Sequence, residues 1–156
     1  LPEASTVVLL VEDDAAHATL VLRCLEDHRI SNCVNHVSDG EQALDYLFRR
    51  GTFSDAEKSP RPDVILLDLR LPKIDGLDVL TEIKKSEDLF RIPVVILSTS
   101  NAKRDIVAAY DAYANSYIVK PIDFGLFTQM MRDWGHYWLS WNQNPNESRN
   151  STDRIV

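Results

Sequence analysis

The sequence predicts an α/β domain built on a parallel sheet, and three observations carry that reading. Short β-favouring apolar runs recur along the chain, V-V-L-L-V at 7–11, V-I-L-L at 64–67 and V-V-I-L at 94–97. The runs are continuous rather than alternating, as in strands buried on both faces. Between them stand amphipathic segments of ten or more residues, which suit crossover helices joining parallel strands.

The first strand, residues 7–11, runs into three consecutive carboxylates, Glu12, Asp13 and Asp14. A helix follows from Ala15 to about residue 29 with Leu20, Val21, Cys24 and Leu25 inward. Asp13 or Asp14 is placed to cap it, and Asp14 is the better candidate for that role. Residues 33–37 alternate like a strand. Asp39-Gly40 turns into a helix over 41–50 with Ala43, Leu44, Leu47 and Phe48 inward. Residues 51–62, G-T-F-S-D-A-E-K-S-P-R-P, are polar and aperiodic, a surface loop longer than usual. The third strand, 64–67, lies between Pro62-Asp63 and Pro72 and ends in Asp68; Asp75-Gly76 opens a helix over 77–86 with Val79, Leu80 and Ile83 on one face. Pro93 introduces the fourth strand, which ends in Ser98-Thr99-Ser100-Asn101. A helix over 103–114 follows, then a short strand over 117–119 that ends in Lys120-Pro121. The last helix, 124–141, carries Leu126, Phe127, Met130, Met131, Trp134, Tyr137, Trp138 and Trp141. One domain is expected over 6–141, with a polar, mobile tail over 142–156.

Composition excludes several classes. A chain of 156 residues is sized for one domain with a proper core. A net charge of −7 argues against nucleic acid as a partner, since phosphate contacts need a basic patch. No apolar run approaches the roughly 20 residues of a membrane span, and no signal-peptide pattern opens the chain, which starts at Leu1 rather than Met. Cys24 and Cys33 form neither a metal spacing nor a disulfide framework, so a reducing, cytoplasmic setting is expected.

Four of the five predicted strands end in a polar group: Glu12-Asp13, Asp68, Ser98 and Lys120. Ligands of open α/β sheets sit beyond the carboxyl ends of the strands, so these residues are expected to converge. A charge at the end of a buried strand is expensive unless it is paired. Three clustered carboxylates repel one another and call for a cation. A hard divalent ion, Mg²⁺, meets that need, with Asp13 and Asp68 as direct ligands, Glu12 direct or through water, and a backbone carbonyl near Arg70 as a further oxygen. In such a site Asp68 is a nucleophile for a phosphoryl group, the Lys120 ammonium neutralises its oxygens, and the Ser98 hydroxyl hydrogen-bonds one of them.

Taken in order, L-L-V-E-D-D, L-L-D-L-R-L-P-K-I-D-G, V-V-I-L-S-T-S and Y-I-V-K-P resemble the receiver domain of two-component response regulators over about residues 6–135. The resemblance implies a (βα)₅ flavodoxin-like, three-layer fold with a five-stranded parallel sheet in the order 2-1-3-4-5. It implies that Asp68 accepts phosphate from a phosphohistidine of a partner histidine kinase. Glu12 and Asp13 match the acid pair, Ser98 the hydroxyl position, Lys120 the lysine and Tyr117 the aromatic switch position. It further implies a cis peptide before Pro121. The L-S-T-S form, the long loop after the second helix and the aromatic-rich end are similar to the small regulators that partner bacterial phytochromes. Those regulators carry no effector domain, which agrees with where this chain stops.

Arg70 and Ser100 stand two residues after Asp68 and Ser98, positions that the resemblance places beside the path of hydrolytic water, so Arg70 is expected to alter the lifetime of an aspartyl phosphate. His17, His28, His36 and His136 show no ligand spacing and are read as structural. Trp134, Trp138 and Trp141 fall on one helical face, an exposed apolar patch that predicts a homodimer through the last helix, with Tyr110, Tyr113 and Tyr117 as a second contact region. The competing function is a Mg²⁺-dependent phosphohydrolase with Asp68 as nucleophile. Such an enzyme typically wants a second acid two residues on, where this chain has Arg70. A receiver used only as a scaffold is disfavoured because every phosphotransfer position is filled.

Overall fold

The computed structural model describes residues 6–27 and 32–143. Its apolar runs pair as β1 (Thr6–Val11), β2 (Asn32–Val37), β3 (Val64–Leu67), β4 (Val94–Ser98) and β5 (Ser116–Val119). All neighbours are parallel, in the order β2-β1-β3-β4-β5. The register aligns Val37, Val11, Leu67, Ile96 and Tyr117 in one row across the sheet. Residues just beyond that row in β1, β3, β4 and β5 therefore emerge along one edge, the geometric basis of the site below.

Alternation along each strand feeds two cores. Val8, Leu10, Leu66 and Val95 pack with Val21 and Leu25 of α1 (Ala15–Glu26) and with Phe127 and Met131 of α5 (Phe124–Gly135). On the other face, Leu9, Val11, Leu67 and Ile96 join residues from α2 (Gly40–Leu47), α3 (Gly76–Lys85) and α4 (Lys103–Asp111). The result is the three-layer (βα)₅ architecture.

Several boundaries differ from expectation, each for a local reason. α2 stops at Leu47 because Arg49 adopts φ 53°. Phe48 thus falls past the helix end and is exposed rather than inward, with the Arg50 guanidinium 5.2 Å from its ring. α4 stops at Asp111 rather than 114, and Tyr113 follows it at φ 70°. Neither left-handed residue is the Gly or Asn that normally advertises such an end. α1 ends at Glu26 with Asp27 at its C-cap, and the rest of the predicted helix, from His28 on, lies outside the described residues. The loop before β3 is organised: a 3₁₀ turn at Gly51–Phe53 is tied down by buried Ser59, whose Oγ lies 2.7 Å from both the Phe53 and the Asp55 carbonyl oxygens, its one proton shared between them. The Tyr46 hydroxyl donates to the Pro60 carbonyl at 2.7 Å.

The last helix is α-helical only to Gly135 and continues as a π-helical turn, His136–Trp141, in line with an Asn142 N–H to Tyr137 carbonyl bond of 2.7 Å. Part of the predicted patch lies inward. Trp134 and Leu139 are buried, and Trp138 stacks on Trp134 with centroids 6.1 Å apart. Trp141 stays exposed, and its indole N–H donates to His136. The tail predicted over 142–156 lies outside the described residues from 144 onward.

Two glycines let the loop after β3 close on the site. A Cβ at Gly76 would stand 2.1 Å from the Asp68 carbonyl oxygen, and one at Gly40 would stand 2.0 Å from the Ile74 carbonyl oxygen. Gly76→Ala is therefore expected to push backbone against backbone beneath Asp68, destabilising the fold by about 1–3 kcal/mol and lowering the thermal midpoint by several degrees. A midpoint within a degree of the parent would contradict this packing.

Candidate phosphoryl-transfer site

Backbone pairing carries the strand ends past the sheet and sets their side chains together. The Asp68 N–H donates to the Val11 carbonyl at 3.1 Å, which seats Asp68 beside Glu12. The Glu12 N–H donates to the Val37 carbonyl at 3.1 Å, and His36 Nε2 lies 2.8 Å from the Glu12 carbonyl oxygen. The Lys120 N–H donates to the Ser98 carbonyl at 2.7 Å, so the lysine and the hydroxyl emerge side by side. Asp14 caps α1 through its carboxylate, which accepts from the N–H of Ala16 and of His17, and so stands apart from the other two acids. Asp75 occupies the N-cap position of α3 but makes no side-chain cap bond.

Glu12, Asp13 and Asp68 offer carboxylate oxygens that all lie within 4.8 Å of one another. Glu12 and Asp68 are buried and Asp13 is exposed. Against these three acids stands one buried ammonium. Lys120 Nζ donates to Glu12 Oε1, to Asp68 Oδ2 at 3.3 Å and to His17 Nδ1 at 3.1 Å. One ammonium does not balance three carboxylates, and the consequence falls on Glu12. Burial first, then the neighbouring Asp68, raise its carboxyl to about 8, with Lys120 opposing them. Its Oε2 atom is buried with no hydrogen-bond partner. An orphaned oxygen among three converging carboxylates fits a hard divalent cation.

The other side of the pocket is hydroxyl and carbonyl. Ser98 is fully buried, and its Oγ accepts the Ser100 N–H at 3.2 Å. The Ser100 hydroxyl donates to Asp105, which also accepts from the Arg70 guanidinium at 3.1 Å. The Ser100 bond is the largest of the influences that hold the Asp105 carboxyl below its ordinary value. Tyr117 is half-buried, packs against the α2–α3–α4 core, and its hydroxyl donates to the Ser100 carbonyl at 2.9 Å. The Arg70 N–H donates to Asp68 Oδ1 at 3.3 Å. Its side chain turns away from Asp68 and toward α4.

All the predicted strand-end residues thus meet at one edge. The resemblance is corrected at one bond: Lys120–Pro121 is trans, as is every peptide bond among the described residues. The trans form is the intrinsic preference even before proline. His17, structural by its sequence spacing, also joins the site. It sits in the first turn of α1, three residues past the Asp14 cap, and that helical spacing was the signal that could have aimed it back at the acids.

In metal-free protein between about pH 4.5 and 8, native Glu12 holds a proton that the unfolded chain has released, so stability falls as pH rises through that window. The slope is on the order of 1.4 kcal/mol per pH unit. With a chelator present, the thermal midpoint of the parent is expected to drop relative to Glu12→Gln as pH increases from 5 to 8. Parallel pH profiles for the two proteins would contradict the assignment.

Comparison with known proteins bears on this geometry. The family model for the response regulator receiver domain matches residues 8–132. A probable methanogenesis regulatory protein, FilR2, from Methanothrix harundinacea is 42% identical over 89% of this chain and 87% of its own length. Response regulator Rcp1 from Synechocystis is 41% identical over 85% of this chain and 88% of its own, and its Mn(2+)-bound crystal structure superposes with a TM-score of 0.85, covering 90% of this chain and 99% of that one. The phosphorylated cyanobacterial phytochrome response regulator RcpA is 41% identical with a TM-score of 0.86, covering 91% of this chain and 99% of that one.

Proposed function

Since the chain belongs to the response regulator receiver domain family, and so is a phosphoacceptor of two-component signalling, we propose that Asp68 takes the phosphoryl group from a phosphohistidine on a partner histidine kinase. The observation that carries this reading is the meeting of Asp68, Lys120 and buried Ser98 beside the Glu12–Asp13 pair. Similarity at 41% to a phytochrome response regulator supports a phytochrome-type kinase as the donor. The only catalysis assigned to this chain is on itself: gain and loss of its own phosphoryl group.

Receiver domains bind a divalent cation at an acidic pocket, and the fit found for Glu12, Asp13 and Asp68 supports Mg²⁺ here, with the Arg70 backbone carbonyl as a further ligand. The bound cation supplies charge neutralisation for the acids and for the incoming phosphoryl oxygens. Asp68 presents its carboxylate oxygen as nucleophile, held from one side by the Arg70 N–H and from the other by Lys120. The Asp68 oxygen bonds to phosphorus as the phosphorus–nitrogen bond of the donor breaks, and the imidazole leaves with the electron pair. Lys120 moves a donor from Asp68 to a phosphoryl oxygen. The Ser98 hydroxyl donates to another. Drawing Ser98 toward the phosphoryl group pulls on Ser100, and through its carbonyl on Tyr117, which is the proposed switch. Hydrolysis passes the site's mouth, where Arg70 is anchored to Asp105.

The output is a protein contact. Exposed Phe124, Leu126, Tyr137 and Trp141 on the last helix support a homodimer through that helix, with Tyr110 and Tyr113 as a further region. Among the described residues no helix is long and apolar enough to cross a membrane. The cytoplasm is the proposed setting, and the charge of −7 supports no nucleic-acid partner.

Intact-mass measurement with a small phosphodonor tests the phosphoacceptor reading. A gain of one phosphoryl group that requires Mg²⁺ and is lost in Asp68→Asn is expected. Continuous phosphate release with no stable adduct contradicts it. For the oligomer, light scattering at high micromolar protein is expected to report a dimer that Leu126→Glu or Trp141→Glu dissociates. A monomer with and without phosphorylation removes the dimer.

A further inference from the structure

An ammonium has three protons and no acceptor capacity. All three of Lys120's are engaged, by Glu12 Oε1, Asp68 Oδ2 and His17 Nδ1. Two of those partners are also members of the three-carboxylate cluster that suits a divalent cation, whereas His17 is not. Cation and ammonium therefore compete for the same two acids. His17 Nδ1 is the one partner of Lys120 that stands outside the competition.

His17 is itself well held. Its backbone N–H donates to Asp14 Oδ1 at 3.1 Å. Its ring lies against buried Phe127 of α5, with centroids 5.6 Å apart and planes 34° to each other. Toward the ammonium, which only donates, Nδ1 is the acceptor, and the same atom lies 3.4 Å from Glu12 Oε1 and 3.8 Å from Asp14 Oδ2. A rigid acceptor on α1, braced by α5, thus grips the lysine that leads into α5 from β5.

We infer that His17 is a positioning residue for Lys120, holding its ammonium aimed at the phosphoryl oxygens once Glu12 and Asp68 turn to the cation. The inference rests on the phosphoacceptor reading above. It predicts a role in phosphorylation that runs through Lys120 and leaves cation affinity nearly untouched.

The test compares His17→Leu, which removes the acceptor and keeps apolar packing on Phe127, with His17→Asn, whose amide oxygen falls near the Nδ1 position. At saturating Mg²⁺ with a small phosphodonor, His17→Leu is expected to slow phosphorylation by roughly tenfold, and His17→Asn to recover most of the rate. In a Lys120→Ala background the leucine substitution is expected to change the rate by less than about twofold. A second readout is independent of the reaction. In protein labelled with ¹⁵N-lysine, proton exchange of the Lys120 ammonium is expected to quicken in His17→Leu, with and without Mg²⁺. An unchanged rate and unchanged exchange, or an equal loss without Lys120, overturns the inference. If His17→Leu does not fold, His17→Ala against His17→Asn decides by the same readouts. A parent that takes no phosphoryl group overturns the phosphoacceptor reading instead, while ammonium exchange still decides the His17–Lys120 contact.

Discussion

The buried Lys120 ammonium is the constraint on which the site depends. Among the described residues it is the one buried cation beside Glu12, Asp13 and Asp68, and its hydrogen bonds join β1, β3 and α1 to the end of β5. Breaking a buried charge network by removing one member is among the more destabilising changes a fold can suffer. Yet one ammonium under-compensates three carboxylates, and the raised Glu12 and its orphaned oxygen are the signs of that imbalance. The protein holds a deficit of positive charge at the point where a divalent cation is to bind.

Much of this was legible in the chain. Continuous apolar runs mark β1, β3 and β4, and the rule that ligands sit beyond strand ends directs Glu12, Asp68, Ser98 and Lys120 to one edge. In the register, Val11, Leu67, Ile96 and Tyr117 lie in one row and the polar residues follow just beyond it. What escaped were features set by single backbone angles or by contacts distant in sequence. Arg49 and Tyr113 end helices in the left-handed region without a glycine to announce it. His17 joins the site from the first turn of α1, with Nδ1 3.4 Å from Glu12 Oε1 and in contact with Lys120, more than a hundred residues away. Trp134 reads as one stripe with Trp138 and Trp141 on an ideal helix; Trp134 and Trp138 do stack, but across the π turn Trp141 is left exposed while Leu139 enters the core.

The second half of the pocket is built differently from the first. Where Lys120 is buried and charge-paired, Ser98, Ser100 and Tyr117 form a chain of neutral bonds from the pocket floor to the sheet edge. Asp105 fastens that chain to α4 and to Arg70. Neutral links of this kind exchange partners at little net cost, since each contributes about 1 kcal/mol. A charged centre beside an arm of neutral bonds is a physical division suited to a receiver, which must bind a phosphoryl group tightly and still change its surface.

The central claim is that Asp68, Lys120 and Ser98 act on one phosphoryl group. A crystal structure with Mg²⁺ and beryllofluoride, a stable stand-in for that group, tests it most directly. The account predicts beryllium on an Asp68 oxygen, one fluorine within hydrogen-bond distance of Lys120 Nζ, another within reach of Ser98 Oγ, and the cation among Glu12, Asp13 and Asp68. An adduct on a different residue, or Lys120 and Ser98 left on their present partners with Asp68 modified, would contradict it.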